Sequence, residues 1–518
     1  MSSASTTCVT GFIVHSFTRS IRGVSTICLV GRCDDHRTFA VLLTNVRPGF
    51  FVRKSDLPRA REVAHAAEIG PDAQVRTIDG EPCARLRFAT DRDSQGSSAQ
   101  LRRAGVRTYE ADIDTTDALL MDHAIHGSLT ITGVPQPGRH VDLVFLDPTL
   151  SSATWQPELS ILSLDIETGS EGEVFAIGLC FEAPWRQAAT REVLYTGMAD
   201  FGSTGVAEGG YPFTACRLAS ERELLTAFFS RFSELDPDII TGWNVIDFDW
   251  QKLTQRSAVL GVRCMAGRSD EPALFLPADR RASGPASRGS TRTGEENAPN
   301  ESGPFTTATM FIPGRQVIDG IRLLRYGPEN FAAQSLDFVA NAVLGMGKTV
   351  VAETGEEKVA EIERLRQEDP EALCRYCLQD AVLVNRILER TGLLKLTIAR
   401  CLLIGVSLSR AWMSIRSFDF IYVEAMHRRG LVAPTLGVDA LGMESAPGGA
   451  ILTPVPGLFN WVMVFDFKSL YPSVIRTFNI DPVTLIRTTG NAAGNSHDVV
   501  VAPNGAGFAR EPGILPEL

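Results

Sequence analysis

Ser160-Ile-Leu-Ser-Leu-Asp-Ile-Glu-Thr-Gly169 is an apolar run that carries two acids, Asp165 and Glu167, two residues apart. The run predicts a strand, and side chains alternate across a strand, so both carboxylates leave the same face. Two acids side by side on an apolar strand repel each other unless a cation joins them. Downstream, Ile239-Ile-Thr-Gly-Trp-Asn244-Val-Ile-Asp-Phe248-Asp249-Trp250 predicts a strand, a Gly-Trp-Asn turn and then an acid between aromatics. Further on, Tyr376-Cys-Leu-Gln-Asp380 lies in a helical pattern, where i, i+4 spacing stacks the phenol over the carboxylate. Singly, each piece has an ordinary reading: an edge strand, an N-cap for Asp249, a surface acid for Asp380. Taken together, their order and separation make a specific pattern. Carboxylates are the hard oxygen ligands that Mg2+ or Mn2+ requires.

The three motifs resemble those of the proofreading 3′→5′ exonucleases of the DEDD group, in the variant with tyrosine. The resemblance implies a ribonuclease H-like domain holding two Mg2+ (or Mn2+) ions. In it Asp165 bridges the ions, Glu167 and Asp380 hold the one at the attacking water, and Asp249 holds the other. Tyr376 orients that water, and Asn244 and Phe248 contact DNA. The implied substrate is a single-stranded 3′ end, and mismatched ends are favoured because they fray at less cost.

A second signature, Val464-Phe-Asp466-Phe-Lys-Ser-Leu-Tyr471-Pro-Ser-Val474, reads as the end of an apolar strand, Trp461 to Asp466, followed by a tight turn at Ser469 to Pro472. It resembles the first catalytic motif of family B DNA polymerases. The resemblance implies that Asp466 binds the metal shared with a triphosphate, and that the turn through Ser469 and Leu470 offers backbone N–H groups to phosphates. Tyr471 then blocks a ribose 2′-OH and selects deoxynucleotides. Pro447-Gly448-Gly449 resembles the family's glycine motif, in which Gly448 and Gly449 approach the template strand. Gly314 to Gly320, Ser335 to Ala340 and Leu344-Gly345 resemble further family segments. Met426 to Pro434 and Ser473 to Pro482 are most similar to bacterial members. Three family features are missing from the sequence: the Tyr-Gly-Asp-Thr-Asp-type motif with the second aspartate, the Lys-x3-Asn-Ser-x-Tyr-Gly fingers helix, and the thumb. One aspartate does not hold both metals, so primer extension by this chain alone is not expected. Primer-template DNA remains an expected partner, and dNTP one only if a fingers- and thumb-bearing half completes the site. The alternative is an inert remnant or DNA-binding scaffold fragment of such a polymerase.

At 518 residues the chain has room for roughly three domains, and its 44% hydrophobic content is that of a globular protein. The expected class is α/β (α+β overall). Residues 1–155 form a β-rich N-terminal domain, with strands at Gly11 to His15, Ser25 to Val30, Phe39 to Leu43, Leu129 to Thr132 and His140 to Phe145. Residues 156–392 form the exonuclease domain, with a disordered surface loop at 280–305 and a solvated helix face from Glu356 to Asp369. Residues 393–518 form the start of the palm, entered by a helical segment from Leu393 to Ile415. The net charge of −11 argues weakly against nucleic acid, because a groove needs only local Lys and Arg. Ten cysteines are scattered, and Cys374 with Cys377 lacks the second pair of a zinc site, so reduced thiols are expected. Leu393 to Val406 is cut by Lys395 and Arg400, which predicts a helix packed on protein rather than in a membrane. The expected setting is cytoplasmic, associated with the bacterial nucleoid, without a membrane partner.

Overall fold

The strand expected at Ser160–Gly169 forms as Ile161–Thr168 and stands near the middle of a seven-stranded sheet. The structure is a computed structural model that describes residues 6–65, 67–70, 74–197, 201–207, 210–278, 307–346, 355–437, 452–486 and 498–518. In order across the sheet lie Thr204–Ala207, Tyr211–Leu218, Thr190–Thr196, Val174–Glu182, Ile161–Thr168, Ile239–Thr241 and Gln316–Val317. Ile161–Thr168 pairs antiparallel with Val174–Glu182 and parallel with Ile239–Thr241, which in turn runs parallel to Gln316–Val317. The parallel connection from Ile161–Thr168 to Ile239–Thr241 passes through the amphipathic helix Glu221–Leu235, whose N-cap Ser220 accepts from the Glu223 N–H.

Alternation along Ile161–Thr168 decides what each face meets. Leu162, Leu164 and Ile166 enter a core with Leu224, Phe228 and Phe232 of helix Glu221–Leu235. Ser163, Asp165 and Glu167 leave the opposite face. On that side the long helix Pro370–Thr391 packs through Leu373, Cys374, Cys377, Leu378 and Ala381 against Ala176 and Cys180 of the neighbouring strand. A three-layer α/β arrangement results, with the two acids on the face that receives helix Pro370–Thr391.

The described chain divides into two compact units. The first comprises residues 1–21, 26–46 and 123–418 and contains the sheet above. It also contains most of a second seven-stranded sheet, ordered Thr149–Ser152, Ser128–Gly133, Thr7–Ile21, Val24–Cys33, Thr38–Leu43, Leu143–Leu146 and Gln136–Pro137. Four of the five β-runs read from the sequence fall within strands of this sheet, and the fifth, His140 to Phe145, enters its strand only at Leu143. The second unit comprises residues 22–25, 47–122 and 419–518. It holds a three-stranded sheet of Gly49–Arg53, Cys83–Arg87 and Glu68–Ile69, and a parallel pair, Arg76–Thr77 with Leu431–Val432. Residues 1–155 thus contribute to both units.

Three local expectations are corrected. The helical segment from Leu393 to Ile415 is broken: helix Leu393–Ile404 ends at Gly405, whose φ of 101° is a conformation only glycine takes freely, and after a 3-10 turn at Leu408–Arg410 the next α-helix starts at Ser414. Trp461 to Asp466 is irregular rather than a strand, with Trp461, Val464 and Phe465 exposed, because no described segment pairs with it and a lone strand has no hydrogen-bond partners. The expected turn at Ser469 to Pro472 is shorter: Ser469 is left-handed and helix Leu470–Phe478 begins at once. Pro472 fits in that helix because first-turn N–H groups need no intrahelical partner. Residues 498–518 hold the hairpin Val499–Val501 with Gly507–Ala509 and the short helix Ile514–Glu517. Helix Gly355–Glu368 buries Ile362 and Leu365 and carries ion pairs of Arg364 with Glu361 and Glu368 on a solvated face, as expected. The loop expected at 280–305 lies outside the described residues. No helix among the described residues is long and apolar enough to cross a membrane.

Candidate functional site

Asp165 and Glu167 sit two residues apart on strand Ile161–Thr168, and Asp380 comes to them from helix Pro370–Thr391. Carboxylate oxygens of all three lie within 4.8 Å of one another. Glu167 and Asp380 are buried and Asp165 is half-buried. Asp380 is therefore no surface acid. Tyr376, one turn before Asp380 on the same helix, is also largely buried, and the Lys358 ammonium lies 5.5 Å from its ring centroid.

The close seating of the helix depends on Gly178. This residue pairs with Asp165 in the antiparallel ladder, and a Cβ on it would lie 2.8 Å from the Cys377 carbonyl oxygen. With no Cβ, the helix backbone comes down onto the strand pair, and the Cys377 thiol donates to the Asp165 carbonyl oxygen at 3.4 Å. Burial, and then the nearby Asp165 and Glu167 charges, push that thiol well above the usual range, so it stays protonated. Cys374 is pushed up by burial as well. All ten cysteines are free thiols, and this pair is packing rather than a metal site.

Asp249 arrives by another route. After strand Ile239–Thr241 the chain turns through Asn244, at φ 62°, into a single turn of π-helix, Ile246–Trp250. The parallel partner Ile239–Thr241 pairs with Ile161 to Ser163 only, so the Ile166 N–H lies beyond the end of that ladder. Asp249 Oδ1 accepts from it at 3.1 Å. A buried N–H needs some acceptor, and for this one, on the residue between the two acids in sequence, the acceptor is a carboxylate. Asp249 caps no helix and is 2% exposed. Burial first, then the charges of Asp319 and Glu167, push it well above the usual carboxylate range. Asn244 is half-buried and Phe248 is 39% exposed beside it.

The three carboxylates gathered from the strand and the facing helix make a donor set that repels itself, and Asp249, held on the backbone of the same strand, adds its charge to that of Glu167 without joining the three. A divalent cation of the Mg2+ or Mn2+ type fits such all-oxygen donors, and the cost of gathering like charges is what an ion offsets.

The structure does not gather the polymerase-type residues in the same way. Asp466, Leu470 and Tyr471 are exposed, with Tyr471 at 81%, and none of them enters a carboxylate cluster among the described residues. Ser469 caps no backbone group with its side chain. Gly448 and Gly449 lie outside the described residues. Residues the sequence reading gave no role are Gly178, Lys358 and Asp319. Asp319 stood within the quoted segment Gly314 to Gly320, and Lys358 within the charged helix. Gly178 had no local signal, since its neighbour in space is far along the chain.

Comparison with known proteins bears on the same segments. The family model "DNA polymerase family B, exonuclease domain" matches residues 201–273, and "DNA polymerase family B" matches residues 413–518. DNA polymerase II of Escherichia coli is 30% identical over 90% of this chain and 54% of its own length. A DNA polymerase of Thermococcus gorgonarius is 26% identical over 79% of this chain and 47% of its own. The chain thus spans about half the length of these curated relatives. The structure of the family B DNA polymerase from the archaeon Pyrobaculum calidifontis superposes with a TM-score of 0.69 at 22% identity, covering 98% of this chain and 62% of that one.

Proposed function

Because the chain belongs to the family B DNA polymerases, we propose that residues 156–392 are its 3′→5′ proofreading exonuclease, acting on an unpaired DNA 3′ end. The observation that carries this reading is the convergence of Asp165, Glu167 and Asp380 within 4.8 Å, with Tyr376 one helical turn from Asp380. Asp165, Glu167 and Asp380 would hold one divalent cation, and Asp165 with Asp249 a second. Bound there, such ions supply an activated water and offset charge on the departing 3′ oxygen. The protein's own part is placement. The Tyr376 hydroxyl, projecting from the helix that carries Asp380, orients the attacking water. Phe248, partly exposed, offers a ring against which the terminal base stacks, and Asn244 in the preceding turn contacts the same nucleotide.

Residues 393–518 fit the beginning of a polymerase palm, and residues 1–155 an N-terminal domain. In this reading Asp466 is one of two metal-binding aspartates, and Ser469, Leu470 and Tyr471 meet the incoming dNTP. Gly448 and Gly449 approach primer-template DNA. Nucleotide addition then awaits a second aspartate, which this sequence does not contain. A cytoplasmic setting beside the nucleoid belongs to the same proposal.

Digestion of a 5′-labelled single-stranded oligonucleotide with Mg2+ tests it. A ladder shortening from the 3′ end is expected, without extension of a primed template when dNTPs are added. Asp165→Ala is expected to abolish the ladder and keep the melting temperature. Undiminished digestion by that variant would sink the site assignment.

A further inference from the structure

Asp319 lies just past strand Gln316–Val317, in the quoted segment to which the sequence reading gave no role, and its carboxylate is 3% exposed. Both of its oxygens hold backbone. Oδ2 accepts from the Ile246 N–H at 3.2 Å, at the first residue of the π-turn that carries Asp249. Oδ1 accepts from the Arg322 N–H at 3.2 Å, which caps helix Gly320–Leu324. The Gly320 N–H donates to the Gly242 carbonyl at 2.9 Å, joining the same two segments just before the turn. Arg322 then reaches back to the π-turn. Its guanidinium meets Asp247 Oδ2 at 2.7 Å, two residues before Asp249, and donates to the Ala308 carbonyl at 2.7 Å. Two contacts from one short segment therefore grip the π-turn ahead of Asp249, and a third holds the residues that lead into it. A π-turn carries one residue more than an α-turn, and it persists only where the surroundings fix it.

We infer that Asp319 and Arg322 form a clamp that positions Asp249, holding the π-turn in the register that aims its carboxylate at the Ile166 N–H and the other three acids. Neither side chain touches the reacting atoms, so both are positioning residues. The inference rests on the exonuclease reading above. It predicts that loosening the clamp lowers affinity for the cation while the four acids remain present, as supporting residues around metal ligands do.

The test uses the whole chain, with Mn2+ alone as probe and free Mn2+ followed by electron paramagnetic resonance. Asp319→Asn keeps the volume but weakens the grip on Ile246, and Arg322→Met removes the arm to Asp247. Each is expected to weaken Mn2+ binding by about tenfold. The Arg322→Met melting temperature is expected to stay near that of the parent, because a partly exposed pair contributes little stability. Arg322→Lys, which still reaches Asp247, is expected to recover part of the loss. Asp165→Ala is the control that separates the two ideas. If Asp165→Ala abolishes binding while Arg322→Met and Asp319→Asn leave it unchanged, the clamp is wrong and the site stands. Unaltered binding in Asp165→Ala would overturn the site itself, and the clamp with it. Should Asp319→Asn fail to fold, Arg322→Met decides alone.

Discussion

Gly178 shows how much a site can owe to a residue with no side chain. Its missing Cβ is the space through which helix Pro370–Thr391 settles beside Asp165, and a methyl there would sit 2.8 Å from the backbone oxygen of Cys377. Neither partner is a flexible side-chain end, so the helix itself must shift. Gly178→Ala is expected to cost roughly 1–3 kcal/mol, the usual range for overpacking. Because Asp380 rides on the displaced helix, oligonucleotide digestion should fall more steeply than melting temperature. A variant that melts lower yet digests normally would show that the helix relaxes without moving the acid. The residues themselves were largely legible in the sequence: the two-residue period put Asp165 and Glu167 on one face, and the four-residue period aligned Tyr376 with Asp380. What the sequence hid was the surroundings of Asp249, since Ile166, Asp319 and the end of a short parallel ladder meet it only in three dimensions.

At the scale of elements, local pattern found helices and strands alike, and it failed on an apolar run that has no neighbour among the described residues. Helix Pro370–Thr391 has its Asp369 cap, Pro at its start and Gly392 at its end, all readable in order. The apolar run from Trp461 had strand composition, but a strand's hydrogen bonds belong to its partners, and none of the described segments supplies them. Helix Ser414–Arg428 illustrates a tie that no periodicity announces. In its last turn His427 Nε2 lies 3.1 Å from both Glu110 oxygens, and Nδ1 lies 2.9 Å from Asp122 Oδ1. Burial alone would lower the imidazole, but Asp122 and Glu110 outweigh it and raise its pKa to about 10. A raised pKa means that the charged histidine stabilises the fold in full below its unfolded value of 6.5. That contribution is lost as pH climbs through about 10. His427→Gln is expected to cost roughly 3 kcal/mol at neutral pH, since Glu110 is left buried without its cation. The difference from the parent should shrink between pH 7 and 10. Urea unfolding at both ends of that range measures it, and a pH-independent difference would show that the histidine acts through packing alone.

For the whole molecule, composition set the class and the order of motifs set the sequence of parts, yet residues 22–25, 47–122 and 419–518 fold as one unit across a long intervening stretch. Association of that kind depends on surfaces that exist only after folding, which is why 1–155 read as a single domain. The first unit carries its own long-range tie, a buried network of three arginines and two aspartates. Asp238, fully buried, accepts from Arg32 Nε at 2.6 Å and from Arg268 at 2.7 Å, and also from the Ser160 N–H and hydroxyl where the acid-bearing strand begins. Asp236 meets Arg268 and Arg315, each at 2.8 Å. Burial would raise both carboxyls, but Arg268 with Arg32 at Asp238, and Arg268 with Arg315 at Asp236, hold them below the usual range. The sign is opposite to that of His427: a depressed carboxyl contributes stability above its unfolded value near 3.8 and loses it as pH falls through the folded one. Arg268→Met should strand buried charge and cost about 3–5 kcal/mol. Hydrogen exchange resolved by peptide, corrected for intrinsic rates, should place that loss in residues 123–418 and leave 47–122 protected. Acidification of the parent toward pH 3 should likewise open the first unit, whereas the loss that His427 brings to the second comes in alkali. Equal loss of protection in both units, from the substitution or from acid, would mean that the network serves the molecule as one cooperative block rather than the unit that contains it.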